Sequence, residues 1–155
     1  MARLPRGSAE VTLDAKGRVA VPAKFRPIFD DRYPMLWDAQ HPRRCCLLLT
    51  HEQHFDDVIA DEMELISAEY RADHEHNHIT HVEDVDLDAN GRFVLGEKWY
   101  EKFGFVRGEK LVLLANKEYI EIWSLPKWQE LLAQTTPSPH AIDYTPRKPK
   151  VAAHE

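Results

Sequence analysis

The phrase TLDAKGR at residues 12–18 decides the fold, because the chain repeats it as DLDANGR at residues 86–92. Leu, Asp, Ala, Gly and Arg recur in the same order, and 74 residues separate Asp14 from Asp88. Self-similarity at a fixed offset indicates a duplicated structural unit. The sequence therefore predicts two related units, each built around an Asp-x-x-Gly-Arg turn.

The repeat continues beyond the phrase at the same offset. Phe25 matches Trp99, and the apolar run at 48–50 matches the run at 122–124. The order of elements is preserved over roughly 45 residues in each copy, which favours a true duplication over a chance match.

Alternating apolar residues on both sides of each phrase predict short strands. They lie at residues 10–13 and 18–21 around the first phrase and at about 84–87 and 92–95 around the second. Such period-two alternation is typical of strands. Asp can accept backbone N–H bonds within a turn and Gly can adopt a positive φ, so the predicted turn-structuring residues are Asp14, Gly17, Asp88 and Gly91.

Helix signals follow in the first unit. Pro22 suits the first turn of a short helix, and Pro27 is expected to limit its length. Thr50 and Gln53 match a capping box, and the apolar residues behind them recur at helical spacing. We therefore predict one amphipathic helix over residues 51–72.

The second unit repeats this plan. It predicts a short helix at about 97–103 with Gly104 as its C-cap, and a hairpin of strands at 111–115 and 119–123. Ser124 is then expected to start a helix that runs through Leu132.

Charge is distributed unevenly along the chain. The net charge of −6 argues against a nucleic-acid-binding protein, but residues 1–26 contain six Lys/Arg and two Asp/Glu. Residues 52–88 contain thirteen Asp/Glu and one base, Arg71. Because fields are screened within roughly 8–10 Å, a basic patch on an acidic body can still bind phosphate. A solvated basic arm is the alternative interpretation.

Cysteine usage and hydropathy favour a cytosolic location. Cys45 and Cys46 are adjacent, and a disulfide between neighbouring strand residues would be strained, so we expect both to be reduced. No apolar run reaches the roughly 18 residues of a membrane span, and no signal peptide is evident.

A histidine-rich stretch raises the question of a metal. His74, His76 and His78 would share one face of a strand, with Glu75 or Glu83 as further ligands. Structural zinc sites generally use thiolates or paired spacings, and both cysteines lie in another run. We therefore interpret the stretch as an exposed polar linker and predict no metal and no cofactor.

The two units resemble the MraZ family of bacterial transcriptional regulators of the division and cell-wall gene cluster. The resemblance covers roughly residues 6–133. The residues that carry it are Arg6-Gly7, Leu13-Asp14-Ala15-Lys16-Gly17-Arg18, Pro22-Ala23-Lys24-Phe25-Arg26, Cys46-Leu47-Leu48-Leu49, Asp88-Ala89-Asn90-Gly91-Arg92 and Glu121-Ile122-Trp123.

The resemblance implies a fold and an assembly. The fold class is α+β, with tandem pseudo-twofold swapped-hairpin (AbrB-like) β-barrel units and flanking helices. The implied domains are a first repeat at 8–53, an acidic helix and linker at 54–82, a second repeat at 83–126 and a C-terminal helix at 127–134. The resemblance leaves out residues 135–155, where prolines and few apolar residues separately predict a flexible Pro-rich tail. Such chains form ring homo-oligomers that are nucleoid-associated and grip short repeats in double-stranded promoter DNA.

The resemblance also implies which residues bind DNA. Arginine suits phosphate and guanine edges because its planar fork donates two parallel hydrogen bonds. The candidate DNA-binding residues are Arg18, Lys16, Arg6, Lys24, Arg26 and Arg92. The alternative is structural: each phrase is a hairpin turn closed by an exposed Asp–Arg ion pair, worth about 0–1 kcal/mol.

The second unit departs from the family pattern. Asn90 replaces the base that the first copy has at Lys16, and Leu95-Gly96 stands where the family usually has a proline. We therefore expect the first unit to dominate DNA contact.

Two other classes of function stay open. An antitoxin-like protein-interaction module would use the acidic helix to dock a basic partner. A histidine-dependent metalloenzyme is disfavoured, because no Ser/His/Asp, Cys/His or zinc-protease pattern is present. We predict a non-enzymatic protein with no catalytic residue, no small-molecule substrate and no membrane partner.

Overall fold

Strands from both halves of the chain combine in one antiparallel sheet. The computed structural model describes residues 4–134, and the predicted tail at 135–155 lies outside them. The strands in the described part are β1 (Arg6–Thr12), β2 (Arg18–Ala20), β3 (Pro34–Trp37), β4 (Leu47–His51), β5 (Val82–Asp84), β6 (Arg92–Val94), β7 (Lys110–Asn116) and β8 (Tyr119–Ser124). The α-helices are α1 (Glu52–Leu65), α2 (Arg71–Ile79), α3 (Tyr100–Phe103) and α4 (Leu125–Gln134), and 3-10 helices span Ala23–Phe29, Ala68–Tyr70 and Glu97–Trp99.

The sheet topology reflects the sequence repeat. Six strands pair in the order β1-β7-β8-β4-β3-β5, and β2 pairs with β6 in a separate two-stranded ribbon. If each strand is replaced by its counterpart in the other unit, the same strand order results, read from the opposite edge of the sheet. The first strand of each unit pairs with the third strand of the other unit, β1 with β7 and β5 with β3. The predicted α+β class is confirmed.

The repeated phrases do not close hairpins. All seven residues of β1 pair with β7, from Arg6 opposite Asn116 to Thr12 opposite Lys110. The strand after the phrase, β2, pairs with β6 of the other unit. The hairpin interpretation was therefore wrong, because both neighbouring strands find their partners across the repeat. Each phrase instead carries the chain from the sheet to the ribbon.

The main core lies between the sheet and the ribbon. Val19 and Phe93 pair across the ribbon and pack with Leu36, Leu47 and Leu113 of the sheet. Helix α4 covers the opposite face, where Trp128 packs against Trp123 at 5.5 Å between ring centroids. Burying a Leu or Phe side chain stabilises a fold by about 1.5–3 kcal/mol, so side chains from both units hold the two layers together.

The predicted helix over 51–72 is interrupted. Helix α1 ends at Leu65 because the backbone of Ile66 is extended, and α2 packs back beside it. Arg71 fixes this corner: its Nε donates to the carbonyls of Met63 and Ile66, both at 3.1 Å. The apolar spacing continued past the break, but a tertiary contact ended the helix.

The predicted capping box was also wrong. Thr50 belongs to β4, and its hydroxyl donates to the carbonyl of Glu118 at 3.2 Å. His51 is the N-cap instead, and its Nδ1 accepts from the backbone N–H of His54 at 3.1 Å. Pairing of Thr50 within the sheet moved the helix start by one residue.

One further local expectation was wrong, and three were confirmed. The histidine stretch forms α2 rather than an exposed linker, whereas the short 3-10 helix at Ala23–Phe29 ends two residues after Pro27. The hairpin of β7 and β8, the helix after Ser124 and the left-handed Gly104 cap at φ +71° are confirmed. Within residues 4–134, no helix is long and apolar enough to cross a membrane.

Candidate nucleic-acid interface

Turn one, residues 14–18, is organised by a single carboxylate. Asp14 Oδ1 accepts from the backbone N–H groups of Lys16 at 2.9 Å and Arg18 at 2.8 Å. Its Oδ2 accepts from Arg18 Nε at 2.8 Å. The backbone N–H of Arg18 is the largest influence on Asp14 and lowers the pKa of its carboxyl. The anionic carboxylate therefore holds both the backbone of the turn and Nε of the Arg18 guanidinium.

Turn two, residues 88–92, repeats this geometry. Asp88 Oδ1 accepts from the backbone N–H groups of Asn90 at 2.8 Å and Arg92 at 2.9 Å. Its Oδ2 accepts from Arg92 Nε at 3.1 Å. The backbone N–H of Arg92 likewise lowers the pKa of Asp88. Both arginines thus leave their turns with the same orientation.

The ribbon brings both arginines onto one outer face. Arg18 pairs with Val94 and Ala20 pairs with Arg92, while Val19 and Phe93 between them are buried. Alternate residues of a strand share a face, so the ribbon face consists of Arg18, Ala20, Arg92 and Val94. Arg18 and Arg92 are diagonal neighbours, which places their backbones about 7–8 Å apart.

The ribbon face is accessible. Val94 is 60% exposed, and the side chains of Arg18 and Arg92 are 33% and 37% exposed. Among the residues that the structure describes, only Asp14 bonds to the Arg18 side chain, and it does so through Nε. The two terminal nitrogens of Arg18 are therefore available to a ligand outside the chain.

Turn one carries two further basic residues, Lys16 and Arg107. Lys16 is exposed at its tip, and Arg107 lies beside Gly17, with Nε 3.5 Å from where an added Cβ would stand. Arg107 bonds Tyr100 Oη at 3.4 Å and Glu97 at 2.7 Å. Sequence reasoning missed Arg107, because it lies outside the repeated phrase and comes from the other unit.

Arg26 is held by the protein rather than by solvent. Its Nε donates to the carbonyl of Val21 at 3.0 Å, and its Nη2 donates to the carbonyl of Asn90 at 2.6 Å. Arg26 therefore braces turn two. The 74-residue offset matches Arg26 with Tyr100, and Tyr100 correspondingly touches turn one beside Gly17. The bracing role of Arg26 could therefore have been predicted from the sequence, because the repeat aligns Arg26 with Tyr100.

Arg6 and Lys24 lie away from the ribbon face. They line a groove of about 660 Å³ with Lys117, which sequence reasoning also missed. Lys24 Nζ donates to the carbonyl of Ser8 at 3.2 Å. Arg6 begins β1, about 20 Å along that strand from Thr12 at its other end. The six candidate residues thus divide into three at the ribbon and turn one, two in the groove, and Arg26, which packs against turn two from outside it.

Comparison with known proteins finds one family along this chain. The family model described as "MraZ protein, putative antitoxin-like" matches residues 4–75. The chain is 33% identical over 132 residues to Transcriptional regulator MraZ of Methylobacillus flagellatus, covering 83% of this chain and 86% of that protein. It is 27% identical over 146 residues to the protein of the same name from Idiomarina loihiensis, covering 90% and 92%.

A third relative, Transcriptional regulator MraZ of Coxiella burnetii, is 29% identical over 128 residues, covering 80% of this chain and 82% of that protein. The names of these relatives describe a non-enzymatic function, as the sequence predicted. Given the doubled Asp-Gly-Arg turn and matches that span most of its length, the chain belongs to the MraZ family of transcriptional regulators.

Proposed function

We propose that this protein regulates transcription by binding promoter DNA sequence-specifically through the ribbon face and turn one. The observation that carries the proposal is the placement of Arg18 and Arg92, one from each unit, on one exposed face of a two-stranded ribbon. The major groove of B-DNA, about 12 Å wide, admits such a ribbon.

The chemistry of the ribbon face suits base recognition. Asp14 holds Arg18 through Nε, so the terminal nitrogens can donate together to O6 and N7 of a guanine or to a phosphate. Ala20 and Val94 beside it can contact thymine methyl groups. Lys16 and Arg107 add phosphate contacts at turn one. Turn two contributes Arg92 alone, because Asn90 carries no charge and Arg26 braces the turn.

The assembly compensates for a small contact area. One ribbon neutralises few phosphates, and counterion release supplies much of the affinity for DNA. A ring homo-oligomer that presents several ribbons to neighbouring promoter repeats gains avidity. We place this assembly on the nucleoid in the cytoplasm, at the division and cell-wall gene cluster, with Arg6 and Lys24 as flanking phosphate contacts.

The fold supports the proposal of AbrB-like swapped-hairpin units. The exchanged pairing of β1 with β7 and of β5 with β3 is what an exchange of strands between two units produces. We retain the repeats at 8–53 and 83–126, with an acidic helix and linker at 54–82 and a C-terminal helix at 127–134.

Arg18 variants test the proposed base contact. We expect Arg18→Ala to raise the Kd for the chain's own upstream promoter region about 5- to 150-fold, equivalent to about 1–3 kcal/mol. Arg18→Lys keeps the charge but lacks the planar fork, so it should also lose specificity. Fluorescence anisotropy across a salt titration measures both effects.

A matched control is Arg43→Ala, which removes the same charge from an exposed loop between β3 and β4. It should bind as the wild type does. Promoter binding by Arg18→Ala that equals wild-type binding at every salt concentration would show that Arg18 has no such role.

A protein-interaction module is the second candidate function, favoured by the acidic surface of α1. The exposed acidic residues on that helix are Glu52, Asp56, Asp57, Asp61 and Glu64. A basic protein partner that remains bound to the chain after nuclease treatment would favour this function, and loss of every partner with the DNA would favour the first.

A further inference from the structure

Three potential metal ligands converge between α1 and α2. Glu62 Oε2 lies 2.8 Å from His74 Nε2 and 2.7 Å from His78 Nε2. The two Nε2 atoms lie 3.0 Å from each other. His74 and His78 are four residues apart on α2, so they share one face of that helix, and Glu62 approaches from α1. This cluster lies outside the phrases and the ribbon face.

The electrostatics of the cluster call for positive charge at its centre. Oxygen and nitrogen lone pairs this close repel one another unless protons or a cation lie between them. In the metal-free protein, Nε2 protons on the two histidines can donate to Glu62. One metal ion can take the place of both protons, which then move to Nδ1 of their own rings, and can attract all three ligand atoms at once.

The spacing is close to that of a zinc site. Zn²⁺ binds His nitrogen at about 2.0–2.1 Å and carboxylate oxygen at about 2.0–2.2 Å, which sets tetrahedral ligands about 3.3 Å apart. The observed separations of 2.7–3.0 Å require each ligand to move outward by a few tenths of an ångström. The side chains of Glu62 and His74 are 38% and 26% exposed, which leaves them room to move and a metal a path to enter.

Helices α1 and α2 share little buried apolar surface, so a metal ion between them would stabilise their packing. Helix α1 has no fully buried residue, and α2 buries only His78 among its nine residues. The helix pair is therefore joined with little apolar burial. An ion coordinated by Glu62 on α1 and by two histidines on α2 would cross-link them.

We propose that Glu62, His74 and His78 form a binding site for a divalent transition metal of the Zn²⁺ class, with water at the fourth position. Histidine and carboxylate ligands suit this class, and a set of two histidines and one glutamate with an open position is an established zinc geometry. The site would staple α1 to α2 and is independent of DNA binding.

Trp37 supplies a built-in reporter for this site. Its indole N–H lies 3.3 Å from His78 Nδ1, which accepts the hydrogen bond in the metal-free protein. The neutral ring carries one proton, so coordination through Nε2 shifts that proton from Nε2 to Nδ1, where it faces the indole N–H. Metal binding therefore breaks this bond at some cost in affinity, and it changes the surroundings of the buried Trp37 ring.

Zinc titration of the untagged full-length chain tests the proposal. Calorimetry or competition with a chromogenic chelator should give one Zn²⁺ per chain. Glu62→Gln and His74→Gln should each weaken binding at least tenfold, and tryptophan emission should change on binding in the wild type but in neither variant. Glu64→Gln and His76→Gln are matched controls, since both side chains are exposed on the same helices.

The controls should bind within about twofold of the wild type. Absence of stoichiometric Zn²⁺ binding by the wild type would overturn the proposal, as would unchanged binding by folded Glu62→Gln. Glu62 is partly exposed, so that variant is expected to fold even where a histidine variant does not.

Discussion

At the scale of single residues, each turn depends on a carboxylate, a glycine and a residue from elsewhere that closes over the glycine. Gly91 has φ +72°, and an added Cβ would stand 2.2 Å from Arg26 Nε. Gly17 has φ +77°, and an added Cβ would stand 2.9 Å from Tyr100 Oη. Glycine is therefore required both by the backbone and by a close neighbour.

Gly91→Ala should lower the free energy of unfolding by more than Gly108→Ala. Both positions have a positive φ, which costs a residue with a Cβ about 1–2 kcal/mol, but nothing lies within 4 Å of a Cβ at Gly108. Only Gly91→Ala also displaces the Arg26 guanidinium. Urea denaturation of both variants measures the difference.

The same substitutions in an Arg26→Ala protein separate the clash between a Cβ at Gly91 and Arg26 from the backbone strain. There the extra penalty of Gly91→Ala should shrink, because the displaced group is gone. Equal penalties at Gly91 and Gly108, in both backgrounds, would contradict the bracing role of Arg26.

The sequence located part of the candidate site. The phrases identified Lys16, Arg18 and Arg92, and the structure brings these near one another because β2 pairs with β6. Basic flanking charge also suggested Arg6 and Lys24, but the extended β1 carries Arg6 away from the ribbon. Charge counted along the chain does not report distance in the fold, which is why Arg107 and Lys117 were missed.

At the scale of elements, the sequence predicted the features that depend only on neighbouring residues. The β7–β8 hairpin and the Gly104 cap depend on neighbouring residues, and both were predicted correctly. The break in the helix after Leu65 depends on Arg71 reaching back to two carbonyls, and the start of α1 depends on Thr50 pairing with Tyr119 across the sheet. Periodicity and capping motifs do not contain such tertiary contacts.

The start of α1 should make stability depend on pH. Burial, and then the neighbouring His51, lowers the pKa of His54 below 6.5 in the folded chain. As pH falls through about 6.5, the unfolded chain takes up this proton first, so the free energy of unfolding should decrease. Denaturant unfolding at a series of pH values between about 7.5 and 5.5 measures the slope.

His54→Gln should flatten that slope, because glutamine does not titrate. A slope that is the same in wild type and variant would show that His54 does not contribute to it.

At the scale of the whole molecule, the duplicated units together form one six-stranded sheet and one two-stranded ribbon, and each unit contributes one strand to the ribbon. Strand exchange ties the units together, since neither β1 nor β5 has its sheet partner in its own unit. The same exchange places arginines from both units on one surface. The altered second phrase keeps the residues that shape the turn and has Asn90 in place of a lysine, so only turn one carries a charge at its tip.

The central claim is that the ribbon face contacts DNA, and Val94→Glu tests it most directly. Val94 is 60% exposed on that face, opposite Arg18, and belongs to neither apolar cluster of the described residues, so a carboxylate there should repel DNA without unfolding the chain. Ile79→Glu, at a site 57% exposed on α2, adds the same charge elsewhere.

The measurement is the Kd for promoter DNA of the two variants and the wild type, by fluorescence anisotropy at one fixed salt concentration. The ribbon-face account predicts at least tenfold weaker binding by Val94→Glu and near wild-type binding by Ile79→Glu. Wild-type affinity in a folded Val94→Glu protein would contradict the account.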